Sequence, residues 1–338
     1  MYILPDIVRE ELDFFKTGDF IKINIWEPDS LDIVINKIKE HDRLIISVTH
    51  EAFANQPLFD NILLEIGKTN KVIKICTSSP SFFPYSTHPL TNLIMWKDVT
   101  GRDSIGWFSE NTKSFPDYLS IDTKIKDFSK KVKSILSVRK ENTIRNYLFS
   151  KITPKNNVIH RYANWPAINT DEDFNKIDNF PKLNELWVEY LSSYISFVVE
   201  TSYETEIENF SSVITEKTLM AILSGTMPIV LGPKNILNDL EKIGIKTFNL
   251  EFGFGKTTDF MSSESTIKID KFAECVNNVY NLSIDEIKKI WESNIDIIQK
   301  NYDIIASILY NDEFNNLYYT EFEISQKLMP ISSPYKNI

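Results

Sequence analysis

Apolar and polar positions follow two rhythms along this chain, and the two rhythms take turns. Residues 20–26 and 43–49 are short, mainly apolar runs of the kind that strands buried on both faces require. Between them, residues 29–40 set Leu31, Val34, Ile35 and Ile38 at helical spacing behind an Asp29 or Ser30 cap. A helix over 57–68, opened by Pro57, and strands at 71–76 and 92–96 continue the alternation. Residues 97–130 carry no sustained period and lead to a domain boundary near 130. The pattern then restarts with a strand at 133–138, a helix at 141–152, a strand at 156–163 and a loop over 164–181. A helix at 182–194, a strand at 195–201, a helix at 215–225 ended by Gly225 and a strand at 227–232 follow. The last elements are a helix at 234–243, a short strand at 246–250 and two long helices near 269–310. Strand-helix alternation with short links predicts an α/β fold with parallel sheets. The restart predicts two Rossmann-like domains, 1–130 and 131–310, facing across a cleft, and a helical tail over 311–338 that packs back on the first.

Composition narrows the classes. The 338 residues are 42% hydrophobic and 25% charged, enough apolar material for a core and too much for a disordered chain. A net charge of −10 argues against a protein that coats nucleic acid by neutralising phosphates. No apolar run is long enough to span a bilayer, and the opening residues lack a basic-then-apolar leader pattern, so the expectation is a cytoplasmic, soluble protein without stable membrane insertion. Cys76 and Cys275 support neither a disulfide framework nor a zinc site, and the four histidines show no metal-binding pair. With nine glycines, neither a dinucleotide fingerprint nor a P-loop is present.

The chemistry concentrates in residues 197–232. An apolar strand ends at Glu200, a polar loop follows, and a helix opens with Thr215, Glu216 and Lys217 before Gly225 turns the chain into a second buried strand. Unpaired amides and the positive dipole end at a helix start suit a phosphate, a lysine in the first turn adds a point charge, and a carboxylate can bind sugar hydroxyls. The same residues equally describe an ordinary cap, with Thr215 closing the helix and Glu216 answering its dipole.

This stretch resembles the signature of the α1,3-fucosyltransferase family. That signature is a strand ending in Glu-Asn, a loop, Thr-Glu-Lys, then Ala-Leu-x-x-Gly-x-x-Pro-Val and a further glycine. Glu200, Thr215-Glu216-Lys217, Ala221, Gly225, Pro228 and Gly232 match it, while Thr201 stands at the Asn and Val213-Ile214 at the usual aromatic. The helix at 141–152 looks like the family's Val-Arg-Asn segment, which sets Arg145 on the arginine that holds the donor diphosphate. The N-terminal half carries no such likeness. The resemblance implies a GT-B-like, metal-independent, inverting glycosyltransferase that moves a sugar, fucose or another, from a nucleotide diphospho-sugar, with GDP-linked sugars among the candidates, to a glycan hydroxyl. It implies donor binding by Arg145, Glu200, Thr215, Glu216 and Lys217, with Lys217 also stabilising the leaving group, and no cofactor beyond the donor itself.

An inverting transfer also needs a proton acceptor. Ligands of open parallel sheets lie beyond the carboxyl ends of strands. The strand at 43–49 ends at His50 and Glu51 and that at 20–26 ends at Glu27, so Glu51, then His50, then Glu27 are the candidate bases. His160 and Arg161, near another strand end, serve either donor or structure. Arg139 and Lys140, the acidic loop Glu204 to Glu208, the aromatics Phe82, Phe83 and Tyr85, and Asp171-Glu172-Asp173 read foremost as solvated turns or packing. Two other functions share these features: a phage-type DNA glycosyltransferase acting on a hydroxymethylated base, which the charge opposes, and a non-catalytic sugar-nucleotide-binding protein on a transferase scaffold.

Overall fold

The computed structural model describes residues 6, 9, 13, 19–23, 30–40, 43–48, 61, 64–69, 71–77, 93–97, 130–138, 143–162, 187–200, 214–232, 236–255 and 265–309. Among them lie two four-stranded parallel sheets, in separate compact units. The expected irregular stretch before residue 130 and the tail over 311–338 fall outside the described residues.

The first sheet has the order β1 (Asp19–Ile23), β2 (Arg43–Val48), β3 (Val72–Thr77), β4 (Leu93–Lys97). Its register runs from Asp19 opposite Leu44 to Thr77 opposite Lys97. The helix α1 (Ser30–Glu40) joins β1 to β2 as its apolar spacing predicts, with Ile38 buried.

The second sheet is Rossmann-like. It comprises β5 (Val132–Val138), β6 (Val158–Tyr162), β7 (Ser193–Val199) and β8 (Met227–Leu231), in the spatial order β6-β5-β7-β8, and the helix α5 (Ile236–Lys242) follows β8. Every residue of β7 and β8 is buried, as a strand covered on both faces demands. Phe197 packs edge-on against Phe272 and Tyr280 of α6 (Ser265–Asn281), and Tyr194 packs against Trp291 of α7 (Ile284–Ser293). Residues 194 and 197 point to opposite faces of a strand, so α6 and α7 cover the two sides of the sheet. On the α6 side, Asn277 also clamps the end of α2 (Thr143–Ser150). Its amide donates to Lys151 O at 3.0 Å, and its oxygen accepts from Thr153 N at 2.9 Å.

Three elements differ from the pattern-based expectation. The helix expected to run to 194 ends at Ser192 (α3, Trp187–Ser192), because Ser193 pairs with Val132 in the ladder and starts β7. The two long final helices are three, α6, α7 and α8 (Ile295–Leu309). Ser283 and Glu286 form a capping box that starts α7, and Asn294 ends it by donating to Ile290 O at 2.8 Å. Residues 246–250 form no strand. Instead Phe248 N donates to Pro228 O at 2.9 Å, and the Asn249 side chain takes both Val230 N and Val230 O, at 3.0 and 2.8 Å. The chain lies beside β8 and borrows a side-chain amide where a strand would use its backbone, then turns through Gly253 (φ 79).

His160 belongs to this core. It is 4% exposed, packs against Phe149 at 4.9 Å between ring centres and meets the Tyr280 hydroxyl at 3.1 Å through Nδ1. Burial pushes its pKa down from 6.5 to about 4. Between those values the unfolded chain binds a proton at this site that the folded chain refuses, so stability is unaffected above pH 6.5 and falls on acidification, by up to about 3 kcal/mol. His160→Gln, which cannot charge, should flatten the decline of the urea midpoint from pH 6.5 to 4. An unchanged profile would show that His160 does not govern it.

Candidate functional site

In an open parallel sheet the crevice for a ligand opens where the strand order reverses direction. Here the chain leaves β5 for β6 on one side, then returns past β5 to β7 and β8 on the other. The switch point is therefore the pair of carboxyl ends at Val138 and Val199. Of the residues singled out from the sequence, Arg145, Glu200, Thr215, Glu216 and Lys217 lie in the segments that leave these two ends.

After β7 comes Glu200, whose backbone N–H extends the ladder to Leu231 O at 2.9 Å. Its side chain is fully buried. The carboxylate accepts from the Thr215 amide at 3.2 Å and from the hydroxyls of Thr215 and Thr218. A carboxylate removed from water needs several donors and gains from the positive end of a helix, and this one has both. Thr215 is the N-cap of α4 (Glu216–Leu223), with extended φ −100 and ψ 173, and its Oγ1 accepts from Lys217 N at 3.3 Å. Lys217 Nζ lies 3.4 Å from the same oxygen, on a partly exposed side chain. The far end of α4 closes in a Schellman arrangement: Gly225 N reaches Ile222 O at 3.0 Å and Thr226 N reaches Ala221 O at 3.2 Å. Gly225 sits at φ 64, where a glycine is favoured, and the Trp291 indole donates to its carbonyl at 2.9 Å.

After β5 comes Arg145, the third residue of α2, 5% exposed. The structure thus sets Arg145 and Lys217 in the segments that follow two adjacent strands, whose axes are about 4.8 Å apart. Glu216 opens α4 with its backbone; its side chain lies outside the described residues. His50, Glu51 and Glu27 lie outside them as well, as do Arg139, Lys140, the acidic loop Glu204 to Glu208, the aromatics Phe82, Phe83 and Tyr85, and Asp171 to Asp173.

Two residues that sequence reading does not single out reach the ends of β7 and β8. Thr218 supplies the third donor to Glu200, a role visible in the sequence only as a threonine one turn into a helix. Lys268, in the first turn of α6, donates from Nζ to Gly232 O beyond β8. Its signal is a lysine on the apolar stripe shared with Phe272, Cys275 and Val279, all buried. It is 7% exposed, and burial holds its ammonium down from 10.5 to about 8.

The arrangement divides the work at the helix start. Thr215 N and Lys217 N already have acceptors, and Glu200 already answers the dipole. An anionic ligand here must be met chiefly by side-chain cations. No helix of the described residues is long and apolar enough to cross a membrane. Comparison with protein families, with curated proteins and with solved structures finds no match for this chain.

The Glu200 joint can be tested as structure. Glu200→Ala leaves three buried donors without their acceptor and should cost about 3–5 kcal/mol in urea unfolding, against about 1–2 for Thr218→Val. Equal, small losses for both variants would show that the carboxylate does not seat α4.

Proposed function

We propose that this chain is a metal-independent, inverting glycosyltransferase that uses a nucleotide diphospho-sugar. The observation that carries the reading is the switch point itself: Arg145 follows β5, and the Thr215-Glu216-Lys217 helix start is seated by Glu200 after β7. The likeness of these same residues to the fucosyltransferase signature supports it. In this reading Arg145 forks two oxygens of the diphosphate and Lys217 neutralises the charge that grows on it as the sugar departs. Glu216 holds sugar or ribose hydroxyls, while Glu200 and Thr215 act by holding the helix start in place. The N-terminal part binds a glycan acceptor and supplies the base, Glu51 ahead of His50, in a GT-B-like arrangement of two Rossmann-like domains.

A thermal-shift panel of GDP-, UDP-, ADP- and CMP-linked sugars should show stabilisation by one nucleotide class, and that donor should be turned over. Binding without turnover for any acceptor tried would favour the non-catalytic scaffold. Arg145→Ala should weaken nucleoside diphosphate binding by about 2–4 kcal/mol in calorimetry. Lys217→Ala should lower turnover about 10²-fold, and activity should persist in EDTA. Activity lost in EDTA and restored by manganese would overturn the leaving-group chemistry.

A further inference from the structure

The donor reading gives no task to Lys268, a buried cation of this unit. Lys268 is 7% exposed, and among the described residues its ammonium donates to a single carbonyl, that of Gly232. Among the described residues it has no acidic partner. An ammonium carries three donors, so two remain for a further acceptor. A buried charge facing one neutral carbonyl costs the fold stability, and a methionine or leucine would continue the stripe of Phe272, Cys275 and Val279 without that cost.

Position suggests a use for the charge. Gly232 directly follows β8, which neighbours β7, and Glu200 N bonds Leu231 O just before it. A Cβ built on Gly232 would stand 3.5 Å from Glu200 Cβ, so the Gly232 backbone packs directly against the residue that seats α4. The same Cβ would meet Ile236 Cδ1 at 2.9 Å, so a larger residue here would have to push that side-chain end aside. Arg145, Lys217 and Lys268 are therefore associated with the carboxyl ends of three successive strands, β5, β7 and β8, with about 4.8 Å between neighbours. A compact ammonium binds phosphate as a point charge.

We propose that Lys268 is a further anion-binding residue of this site, donating to a phosphoryl oxygen of a diphosphate while keeping its bond to Gly232. The assignment rests on the donor reading for the identity of the ligand, and burial that holds the ammonium near 8 leaves it mostly charged at neutral pH.

Calorimetry of the full chain with inorganic pyrophosphate, GDP and UDP tests it, beside the melting temperature of the ligand-free protein. Lys268→Met should weaken pyrophosphate binding and binding of the preferred nucleoside diphosphate by at least about tenfold. The ligand-free variant should melt at or above the wild-type temperature, because the buried charge is gone and the long stem is replaced in kind. If K268M fails to fold or binds pyrophosphate like the wild type, the lysine is structural and the proposal falls. If nucleoside diphosphate binding depends on Arg145 and Lys217 but not on Lys268, the donor reading stands and the anion-binding role of Lys268 falls. If pyrophosphate binds through Lys268 and no nucleotide or nucleotide sugar binds, the anion-binding role stands and the donor reading falls. A wild-type chain that binds none of the three probes overturns the anion site.

Discussion

The buried carboxylate of Glu200 is the joint on which the second sheet is assembled. It ends a strand with no exposed residue, continues the ladder to β8 through its own amide, and gathers three donors from Thr215 and Thr218. A charge placed so deep is tolerable only when its donors arrive together. Strand end, helix start and neighbouring strand therefore form as one unit. The side chain of Lys217 takes its direction from that unit, since it leaves a helix whose cap is fixed by the carboxylate and whose far end is fixed by Gly225 and Trp291.

This has a chemical corollary. Helix starts attract anions because their amides and dipole are unanswered. In α4 an internal anion has answered them in part. In the proposed donor site, selectivity for a ligand's charge would then fall to Arg145, Lys217 and the ammonium of Lys268, whose lengths and geometries differ. A fork, a partly exposed lysine at a helix start and a buried lysine distinguish ligands more finely than a bare dipole does.

Much of the second sheet is legible in the sequence because its strands are short and mainly apolar and its turns carry marked residues. Gly225 reads as a helix terminator and occupies that position, and Thr215 reads as a cap and is one. What escapes the pattern depends on side chains bonding to distant backbone. Residues 246–250 look like a strand because Phe248 and Leu250 alternate with polar neighbours, yet Asn249 makes the ladder bonds with its amide. Helix α3 gives way at Ser193 because β5 claims that residue, which no local propensity records. At the site, the strand end and the helix start are readable separately. That Glu200 bonds Thr215 and Thr218 across the intervening residues is not, and neither is Lys268, since a lysine on an apolar stripe does not say which carbonyl awaits it.

The Asn249 contact has a consequence for how this sheet meets other molecules. Among the described residues β8 is one of the two edge strands of this sheet, and an edge strand ordinarily offers a row of open backbone groups to any passing chain. Pro228 has no N–H to offer and its carbonyl is taken by Phe248, while both backbone groups of Val230 are taken by one asparagine. That border is sealed against strand addition, so aggregation by edge pairing is blocked there without a covering strand or a charged residue in β8.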